Sequence, residues 1–406
     1  MKTFRFHFLF LAPLLVWCLL LAGCLPGGDS ASTGGDVSSP AEPSSHSDSS
    51  SVFLPSTPAT EPAPPIDPAE DQALVLLSAM TLEEKVGQLF LARCPEENAA
   101  TLAAQYHLGG YVLFARDFEE QTPESMQGIL DSYRSAPAIP MLLAVDEEGG
   151  TVNRISRFSS FRSEPFLSPQ ALYKAGGLDA VSADTVEKCA FLSSLGLNVN
   201  MAPVCDVPAS SRDFIYERSF GSDAAATSDY VQTVVSAMGQ GSIGSVLKHF
   251  PGYGPNGDTH SDLVHDDRPL SQFEECDFLP FQAGIEAGAD AVLVSHNIVS
   301  VFDPDCPASL SPAVHELLRS DFAFDGVLIT DDLAMEGVAA FAPGPEVAVR
   351  ALQAGNDLLC TTDFIPQYEA VLQAAREGEL SVDALDRSVL RILLWKIRLG
   401  LIPAGD

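Results

Sequence analysis

The chain has 406 residues, and 46% of them are hydrophobic, which is enough to bury a core the size of a barrel domain. Its 22 lysines and arginines stand against 55 aspartates and glutamates, so the formal net charge is −33. This acidity argues against binding nucleic acid and against holding an anionic membrane through charge, because both require clustered positive groups. The acidic composition predicts a soluble surface and does not indicate a specific partner.

The first 24 residues have the pattern of an export signal. Lys2 and Arg5 give a basic start, residues 6–21 are nearly all apolar, and small residues precede Cys24. An apolar stretch of this length can span a membrane, but the basic start and the small-residue end favour an export signal over an uncleaved anchor. The sequence Leu21-Ala-Gly-Cys24 resembles a bacterial lipoprotein signal. That resemblance implies a lipid on Cys24 and a membrane-anchored protein at the cell surface.

Residues 25–70 are predicted to be a tether. They are rich in Ser, Pro, Gly, Thr and Ala and hold hardly an aromatic residue, so they cannot bury enough apolar surface to become ordered. We therefore predict one folded domain over residues 71–406. Its six cysteines are widely spaced and form no Cys-x-x-Cys pair, so neither zinc nor another cofactor is expected. Export makes disulfides possible, but most of these cysteines lie in apolar runs and are expected to be buried thiols. These cysteines are Cys94, Cys189, Cys205, Cys276, Cys306 and Cys360.

The folded domain begins with a capping box and continues as an alternation of apolar and amphipathic stretches. Thr81 and Glu84 have the spacing of the capping box. Eight short apolar runs then predict strands. They are Gly87 to Leu91, Gly110 to Ala115, Met141 to Val145, Leu197 to Ala202, Gly244 to Leu247, Ala291 to Ser295, Gly326 to Thr330 and Asp357 to Thr361.

Helical patterns separate most neighbouring runs. Ser311-Pro312 is typical of a helix start, and a closing helix is predicted from Ser381 to about Leu399, with Gly400 as its stop. Eight strand–helix units over about 330 residues predict an α/β fold, a (β/α)8 TIM-like barrel in a single domain. A doubly wound open sheet is the structural alternative.

Polar residues recur where the predicted strands end, as a barrel with a site at that face requires. Five of the runs are followed by such groups. They are Asp146, Glu147 and Glu148 after the third run, Asp206 after the fourth, Lys248 and His249 after the fifth, His296 after the sixth, and Asp331 with Asp332 after the seventh. Each residue alone is more often a polar group that finishes a strand and binds a loop. Their recurrence at five strand ends favours a functional site.

The stretch from Lys248 to His260 is the one on which the functional prediction depends most. It leaves the fifth predicted strand through several prolines and glycines, which exclude a helix or a paired strand, so Asp258 and His260 are expected on a loop. A carboxylate two residues from an imidazole can orient the ring and raise its pKa, which suits proton transfer near neutral pH. The alternative is a plain turn in which Asp258 caps its own backbone and His260 is merely exposed.

Together these residues resemble a known family, the β-N-acetylglucosaminidase branch of glycoside hydrolase family 3. The similarity spans about Met80 to Leu399, and the motifs keep their order along the chain. The motifs are Asp146-Glu-Glu-Gly-Gly150 with Arg154, Asn200-Met-Ala-Pro203, Arg218-Ser-Phe-Gly221, Lys248-His-Phe-Pro-Gly252, Asp258-Thr-His260 and Thr330-Asp-Asp-Leu-Ala-Met335.

The resemblance implies a barrel that hydrolyses glycosides with retention, through an aspartate nucleophile and a His–Asp acid/base pair. Carried over by motif, Asp331 is the nucleophile, His260 the proton donor and acceptor, and Asp258 its orienting partner. Asp146, Arg154, Arg218, Lys248 and His249 are the residues implied to hold the sugar. The implied partner is a glycan with terminal β-linked N-acetylglucosamine, such as a cell-wall glycan, and we expect a monomer.

The sequence departs from the family pattern at a few positions. Tyr253 stands where many members have histidine, three residues rather than four separate Gly254 from Asp258, and Glu147 replaces a frequent glutamine. These differences resemble variants of Gram-positive lipoprotein members. No second domain of the β-glucosidase type follows Asp406, and the family's glucosidases take their acid/base glutamate from such a domain. The hexosaminidase branch is therefore the expectation.

Four other functions stay open on the sequence alone. A β-glucosidase is the nearest enzyme. A phosphorylase would use phosphate in place of water. Because the His260 ring is neutral once it has given up its proton, it would tolerate an anionic phosphate nearby. An aldolase would use Lys248 as a Schiff-base nucleophile, although this leaves Asp258 and His260 unexplained. A sugar-binding lipoprotein would need the cationic residues but neither Asp331 nor His260.

Overall fold

The computed structural model describes residues 67–221, 223–257 and 264–404. The predicted lipidation site Cys24 and the predicted pair Asp258 and His260 therefore lie outside the described residues. Within the described ranges, none of the helices combines the length and the apolar character that crossing a membrane requires.

Eight parallel strands form a closed ring. Each strand pairs with its neighbours in the chain, and the first also pairs with the eighth. The seventh and eighth meet at a parallel bridge between Ile329 and Leu358. In chain order, these barrel strands are Phe90–Arg93, Gly110–Leu113, Leu142–Val145, Val199–Asn200, Gly244–Phe250, Ala291–Val294, Val327–Thr330 and Leu359–Thr361. The predicted TIM-like barrel is confirmed, and the open-sheet alternative is wrong.

Helices surround the ring, and four shorter strands decorate it. The α-helices are Pro68–Ala79, Leu82–Gln88, Ala99–Gln105, Ala115–Phe118, Pro123–Ser135, Pro169–Leu195, Ala224–Gln240, Leu270–Gln272, Phe278–Glu286, Pro312–Ser320, Glu336–Phe341, Glu346–Ala354, Phe364–Glu377 and Val382–Arg398. A π-helix spans Phe273–Asp277 and a 3₁₀ helix spans Ala308–Leu310. The short strands Glu147–Gly149 and Val152–Asn153 pair with each other, as do His265–Asp266 and Ile298–Val299.

Local sequence signals account for where several helices begin. The Thr81 amide donates to Glu84 Oε2 at 2.8 Å, and the Glu84 amide donates to Thr81 Oγ1 at 3.2 Å, so the predicted capping box is confirmed. Gly87, predicted to begin the first strand, instead lies in the helix that this box starts, and the strand begins only at Phe90. An apolar run directly after a capped helix start completes that helix first, which moves the strand three residues along the chain.

The prediction that most of the six cysteines of the folded domain are buried thiols is confirmed. Each is a free thiol, and four are buried. Burial, followed by the nearby carboxylate of Asp206, raises the pKa of the Cys205 thiol well above its usual value. A protonated buried thiol behaves as a small apolar side chain, so these cysteines contribute packing.

Lys396 is a lysine buried in the core at the amino-terminal end of the barrel. It lies on the closing helix, is fully buried, and donates from Nζ to Gln88 Oε1 at 2.6 Å. Gln88 in turn donates from Nε2 to the carbonyl of His107 at 2.7 Å. Because burial penalises the ammonium form, the pKa of Lys396 falls from 10.5 to about 7.

We expect Lys396→Met to stabilise the protein at pH 7 and to lose that advantage as the pH rises. Between about pH 7 and 10.5 the unfolded chain holds a proton on Lys396 that the folded chain lacks. Wild-type stability should therefore rise there by about 1.4 kcal/mol per pH unit, a slope the variant lacks. Urea unfolding at pH 7 and pH 9.5 measures it. Exposed Lys174→Met is the control, and a stability difference independent of pH would contradict the assignment.

Candidate active site

The carboxyl ends of the barrel strands gather the charged residues that the sequence singled out. Asp146 directly follows the third strand, Lys248 and His249 belong to the end of the fifth, and Asp331 directly follows the seventh. Burial, followed by the carboxylates of Asp332, Asp331 and Asp146, raises the pKa of the Cys360 thiol on the eighth strand. Asp331 and Asp146 therefore lie around the same point of the barrel mouth.

A chain of ion pairs at the barrel mouth alternates two carboxylates, Asp146 and Glu148, with two cations, Lys248 and Arg218. Lys248 Nζ lies 2.7 Å from Asp146 Oδ1 and 2.6 Å from Glu148 Oε1. Arg218 binds Glu148 at two points, with Nε 3.0 Å from Oε2 and Nη2 2.7 Å from Oε1. A fork of this kind fixes direction as well as distance. Glu148 therefore holds Lys248 and Arg218 in one geometry at the barrel mouth.

The charges in this chain keep one another ionised. Burial alone would raise the pKa of Glu148, but Arg218 and Lys248 outweigh it and hold that pKa well below its usual range. Burial alone would lower the pKa of Lys248, but Asp146 and Glu148 raise it above its usual value. A Schiff-base lysine must lose its proton to react. The aldolase alternative is therefore disfavoured.

Replacing Glu148 with glutamine should destabilise the fold, because it leaves two buried cations with one fewer carboxylate. Removing one partner of a buried ion pair typically costs about 3–5 kcal/mol in the free energy of unfolding. The control is Glu187→Gln, because Glu187 pairs with Arg162 at 2.8 Å but is 59% exposed. An exposed pair contributes at most about 1 kcal/mol. Chemical denaturation measures both variants, and equal losses would contradict this role for Glu148.

His249 is held by a second buried carboxylate. Its Nδ1 lies 2.7 Å from Asp206 Oδ2, and the other oxygen of Asp206 accepts a hydrogen bond from the Tyr253 amide at 2.7 Å. Arg218 Nη2 lies 3.3 Å from His249 Nε2. Arginine can only donate, so these contacts assign a neutral ring in which Nδ1–H donates to Asp206 and Nε2 accepts from Arg218. The same contacts connect His249 to the Glu148 chain.

Asp331 and Asp332 have different surroundings. The Asp332 carboxylate accepts hydrogen bonds from the Ala334 amide at 2.9 Å, the Thr362 amide at 3.0 Å and the Thr362 hydroxyl at 2.6 Å. It thereby joins the segments that follow the seventh and eighth strands. Asp331 accepts from the Asp332 amide at 2.9 Å, and its own amide donates to the Val294 carbonyl at 3.1 Å. The Asp332 carboxylate is therefore occupied in holding these segments together.

Arg154 reaches Asp146 from the loop that follows the third strand. Its Nη2 lies 3.9 Å from Asp146 Oδ2, and its guanidinium lies 5.6 Å from the centre of the Phe114 ring. Arg93, at the end of the first strand, lies over the same ring at 4.7 Å. The buried Nε atoms of both arginines make no hydrogen bond in the described structure. Arg154 therefore adds positive charge near Asp146 Oδ2, while Lys248 binds Oδ1.

Glu147, one of the departures from the family pattern, supports the loop that carries Arg154. Its carboxylate accepts hydrogen bonds from the amides of Arg154 at 2.9 Å, Ile155 at 2.8 Å and Ser156 at 3.2 Å. The Ser156 hydroxyl donates to it as well. A buried carboxylate that binds consecutive amides fixes the path of a loop. Glu147 therefore sets the position of Arg154 and does not need to contact a ligand.

The structure brings together five of the predicted sugar-holding residues and adds three that the sequence did not assign. Asp146, Arg154, Arg218, Lys248 and His249 form one connected set through the contacts above. The sequence placed Glu148 and Asp206 at strand ends without giving them a role, and it passed over Arg93 altogether. Their strand-end positions were the available signal, because that is where groups converge in a barrel.

Comparison with known proteins decides the family. The description "Glycosyl hydrolase family 3 N terminal domain" matches residues 81–394, which is most of the chain. The chain belongs to glycosyl hydrolase family 3. The family prediction made from the motifs is thus confirmed, and with it the prediction that the protein is a glycoside hydrolase.

Individual relatives agree with this family. The chain is 33% identical over 287 residues to "Beta-hexosaminidase" of Xanthomonas campestris pv. campestris (strain B100), a match that covers 68% of this chain and 84% of that one. It is 30% identical over 361 residues to "Beta-hexosaminidase LpqI" of Mycobacterium tuberculosis (strain ATCC 25618 / H37Rv), covering 86% and 91%. A family 3 β-N-acetylglucosaminidase structure from Paenibacillus sp. str. FPU-7 matches with a TM-score of 0.75 and 30% identity, covering 81% of this chain and 64% of that one.

Proposed function

We propose that this family 3 enzyme is a retaining β-N-acetylhexosaminidase that removes terminal β-linked N-acetylglucosamine from amino-sugar glycans such as those of the cell wall. The observation that carries the proposal is the barrel mouth itself. Asp331 follows the seventh strand, while the linked set of Asp146, Lys248, Glu148 and Arg218 belongs to the same face. The relatives named beta-hexosaminidase support this activity over that of other family 3 enzymes.

Sugar binding is assigned to the charged set. Asp146 can accept hydrogen bonds from sugar hydroxyls, while Lys248, Arg154 and Arg218 donate to hydroxyl and acetamido oxygens. Because Lys248 and Arg218 are already locked by Glu148, little side-chain freedom is lost when the sugar binds. Their fixed positive charge also keeps a neighbouring carboxylate ionised, which a nucleophile at Asp331 requires.

The proposed chemistry has two steps. In the first, Asp331 attacks the anomeric carbon, a glycosyl–aspartate bond forms, and His260 gives its proton to the departing oxygen. In the second, His260 takes a proton from water, the water oxygen attacks the same carbon, and Asp331 is released. Asp258 would orient the His260 ring throughout. Two displacements at one carbon return the β configuration.

The substrate is tested with matched aryl glycosides. We expect turnover of nitrophenyl β-N-acetylglucosaminide to exceed that of nitrophenyl β-glucoside, because only the former offers an acetamido group to the cationic residues. Equal or greater turnover of the glucoside would overturn the substrate assignment. Adding inorganic phosphate tests the acceptor. A main product of sugar 1-phosphate rather than free sugar would make the enzyme a phosphorylase and would overturn the assignment of water.

We also propose that the mature protein is a lipoprotein attached to the membrane through Cys24. The Leu21-Ala-Gly-Cys24 sequence supports this, and the several acyl chains of a lipoprotein cysteine can hold a protein stably where one chain cannot. The test is detergent partitioning and mass spectrometry of the wild type and Cys24→Ala. Acyl chains on Cys24 are expected. A variant that keeps an uncut signal in the membrane fraction while the wild type carries no lipid would indicate a plain anchor.

A further inference from the structure

A buried cluster at Arg268 ties together both ends of the segment that carries Asp258 and His260. The described residues before this segment end at Gly257, and those after it resume at Val264. Arg268 Nη2 donates to the carbonyl of Gly252 at 3.1 Å, and its Nε donates to Asp266 Oδ2 at 2.9 Å. One guanidinium therefore binds the chain on either side of residues 258–263.

Two further contacts make the connection a closed set. Asn256 Nδ2 donates to Asp266 Oδ2 at 2.7 Å, which joins the two ends directly. Arg268 Nη1 donates to Asp277 Oδ2 at 2.8 Å, and the guanidinium lies 4.3 Å from the centre of the Phe273 ring. Phe273 and Asp277 belong to the π-helix Phe273–Asp277. The ends of the segment are thus attached to a regular element of the barrel wall.

Close packing shows that the segment before Asp258 rests directly on this cluster. A Cβ added to Gly252 would lie 2.4 Å from Asp277 Oδ1, and one added to Gly254 would lie 2.4 Å from Arg268 Cζ. Both glycines have positive φ, +118° and +54°, which favours glycine on backbone grounds as well. Real Cβ contacts are never that short. A side chain at either position would therefore clash with the cluster, and the backbone approaches Arg268 and Asp277 closely while Arg268 holds the Gly252 carbonyl.

The opposite side of the same backbone is attached to the sugar-holding set. Tyr253, between the two glycines, donates its amide to Asp206, the residue that orients His249. The Val264 carbonyl accepts from the Ile298 amide at 2.8 Å, next to the sixth strand. The base of the segment is therefore held between the barrel mouth and the Arg268 cluster.

We propose that Arg268, with Asp266 and Asp277, is a positioning residue for the acid/base step: it fixes the described flanks, at Gly252 and Asp266, of the segment that contains His260. This inference rests on the proposed function, in which His260 transfers the proton. Arg268 acts through the chain that it binds and does not contact the sugar. A displacement of about 1 Å in a catalytic group can cost up to about 100-fold in rate. Such a loss should fall on the step that needs the proton.

The test compares substrates with good and poor leaving groups. Arg268→Met should reduce kcat/KM by about 10–100-fold for an alkyl N-acetylglucosaminide, which needs protonation, and by only about threefold for the nitrophenyl substrate. Arg268→Lys should recover part of the activity lost on the alkyl substrate. Its ammonium group can pair with one carboxylate, but it cannot bind Asp266, Asp277 and the Gly252 carbonyl at once as the guanidinium does. Asp277→Asn keeps an acceptor for Nη1 and provides a milder change if Arg268→Met fails to fold.

A matched control lies at the other end of the barrel. Arg319 binds Asp357 at 2.5 Å and the carbonyl of Gly326 at 2.7 Å, in a second partly buried arginine cluster before the seventh and eighth strands. Arg319→Met should lower stability and reduce turnover of both substrates equally. An equal loss on both substrates in Arg268→Met and in Asp277→Asn would show a purely structural role and overturn the inference.

The double variant Arg268→Met with His260→Ala separates this inference from the proposed function. If Arg268 acts through His260, the selective loss in the double variant should equal that of His260→Ala alone, because the group being positioned is gone. Additive losses would overturn the positioning role. If His260→Ala itself leaves the leaving-group dependence unchanged, the acid/base assignment fails first. If His260→Ala shows the dependence and Arg268→Met does not, only the Arg268 inference fails.

Discussion

Replacing Asp331 with alanine is expected to lower kcat on nitrophenyl β-N-acetylglucosaminide by about 10⁴-fold or more, because Asp331 is the proposed nucleophile that forms the glycosyl–enzyme bond. The fold should survive, since the strand-end carboxylate contributes more to chemistry than to packing. Steady-state kinetics measures the loss, and thermal unfolding checks the fold. A slow fluorinated sugar substrate should label a single peptide of the wild type, the one that contains Asp331.

Asp332→Ala is the matched control for this experiment, one residue along the same chain. Its carboxylate accepts hydrogen bonds from Ala334 and Thr362, so its removal should cost about 1–3 kcal/mol of stability and much less activity than Asp331→Ala. Sugar found attached to Asp332 or to Asp146 would reassign the nucleophile. So would full activity in Asp331→Ala.

His260→Ala is expected to separate substrates by their leaving groups. Turnover of an alkyl N-acetylglucosaminide should fall by about 10²–10⁴-fold, the usual contribution of a positioned acid, because the departing alkoxide needs a proton. Nitrophenolate departs without one, so the first step on the nitrophenyl substrate should change little. The measurement is a plot of log kcat/KM against leaving-group pKa, which should be steeper in the variant.

Asp258→Asn provides the companion variant. It keeps the shape of the side chain but removes the charge that would support a protonated ring, so its slope should lie between those of the wild type and His260→Ala. Product analysis at rising phosphate can be run on the same proteins. An identical slope in the wild type and His260→Ala would exclude this histidine as the acid.

The barrel was predictable from the sequence because its strands are buried on both faces. Runs such as Met141 to Val145 and Val327 to Ile329 are apolar throughout, and a parallel sheet covered by helices is what buries such runs. Helix ends with their own chemistry were also predictable, including the capping box at Thr81 and the closing helix Val382–Arg398. The first strand was misplaced because an apolar run alone does not say where a helix stops.

The site was predictable as a set of strand ends but not as a set of pairs. Asp146 and Lys248 stand 102 positions apart, so only the folded ring brings them within 2.7 Å. In the sequence, Glu148 is one of several acidic residues, and only the folded chain shows its two hydrogen bonds with Arg218. Arg268 carried no signal at all, because its role depends on Gly254 lying against it and on the Asp277 carboxylate from the π-helix. Long-range partners of this kind are invisible to local patterns.

The closing of the ring has a consequence for when the enzyme can act. Thr330, which immediately precedes Asp331, donates its amide to the Leu358 carbonyl, and Asp332 holds Thr362. The surroundings of Asp331, the proposed nucleophile, are therefore completed by the last barrel strand to be synthesised. A nascent polypeptide that ends before this strand has no ordered cradle for Asp331, however well its earlier units have folded. We therefore expect turnover to begin only once the final strand is in place.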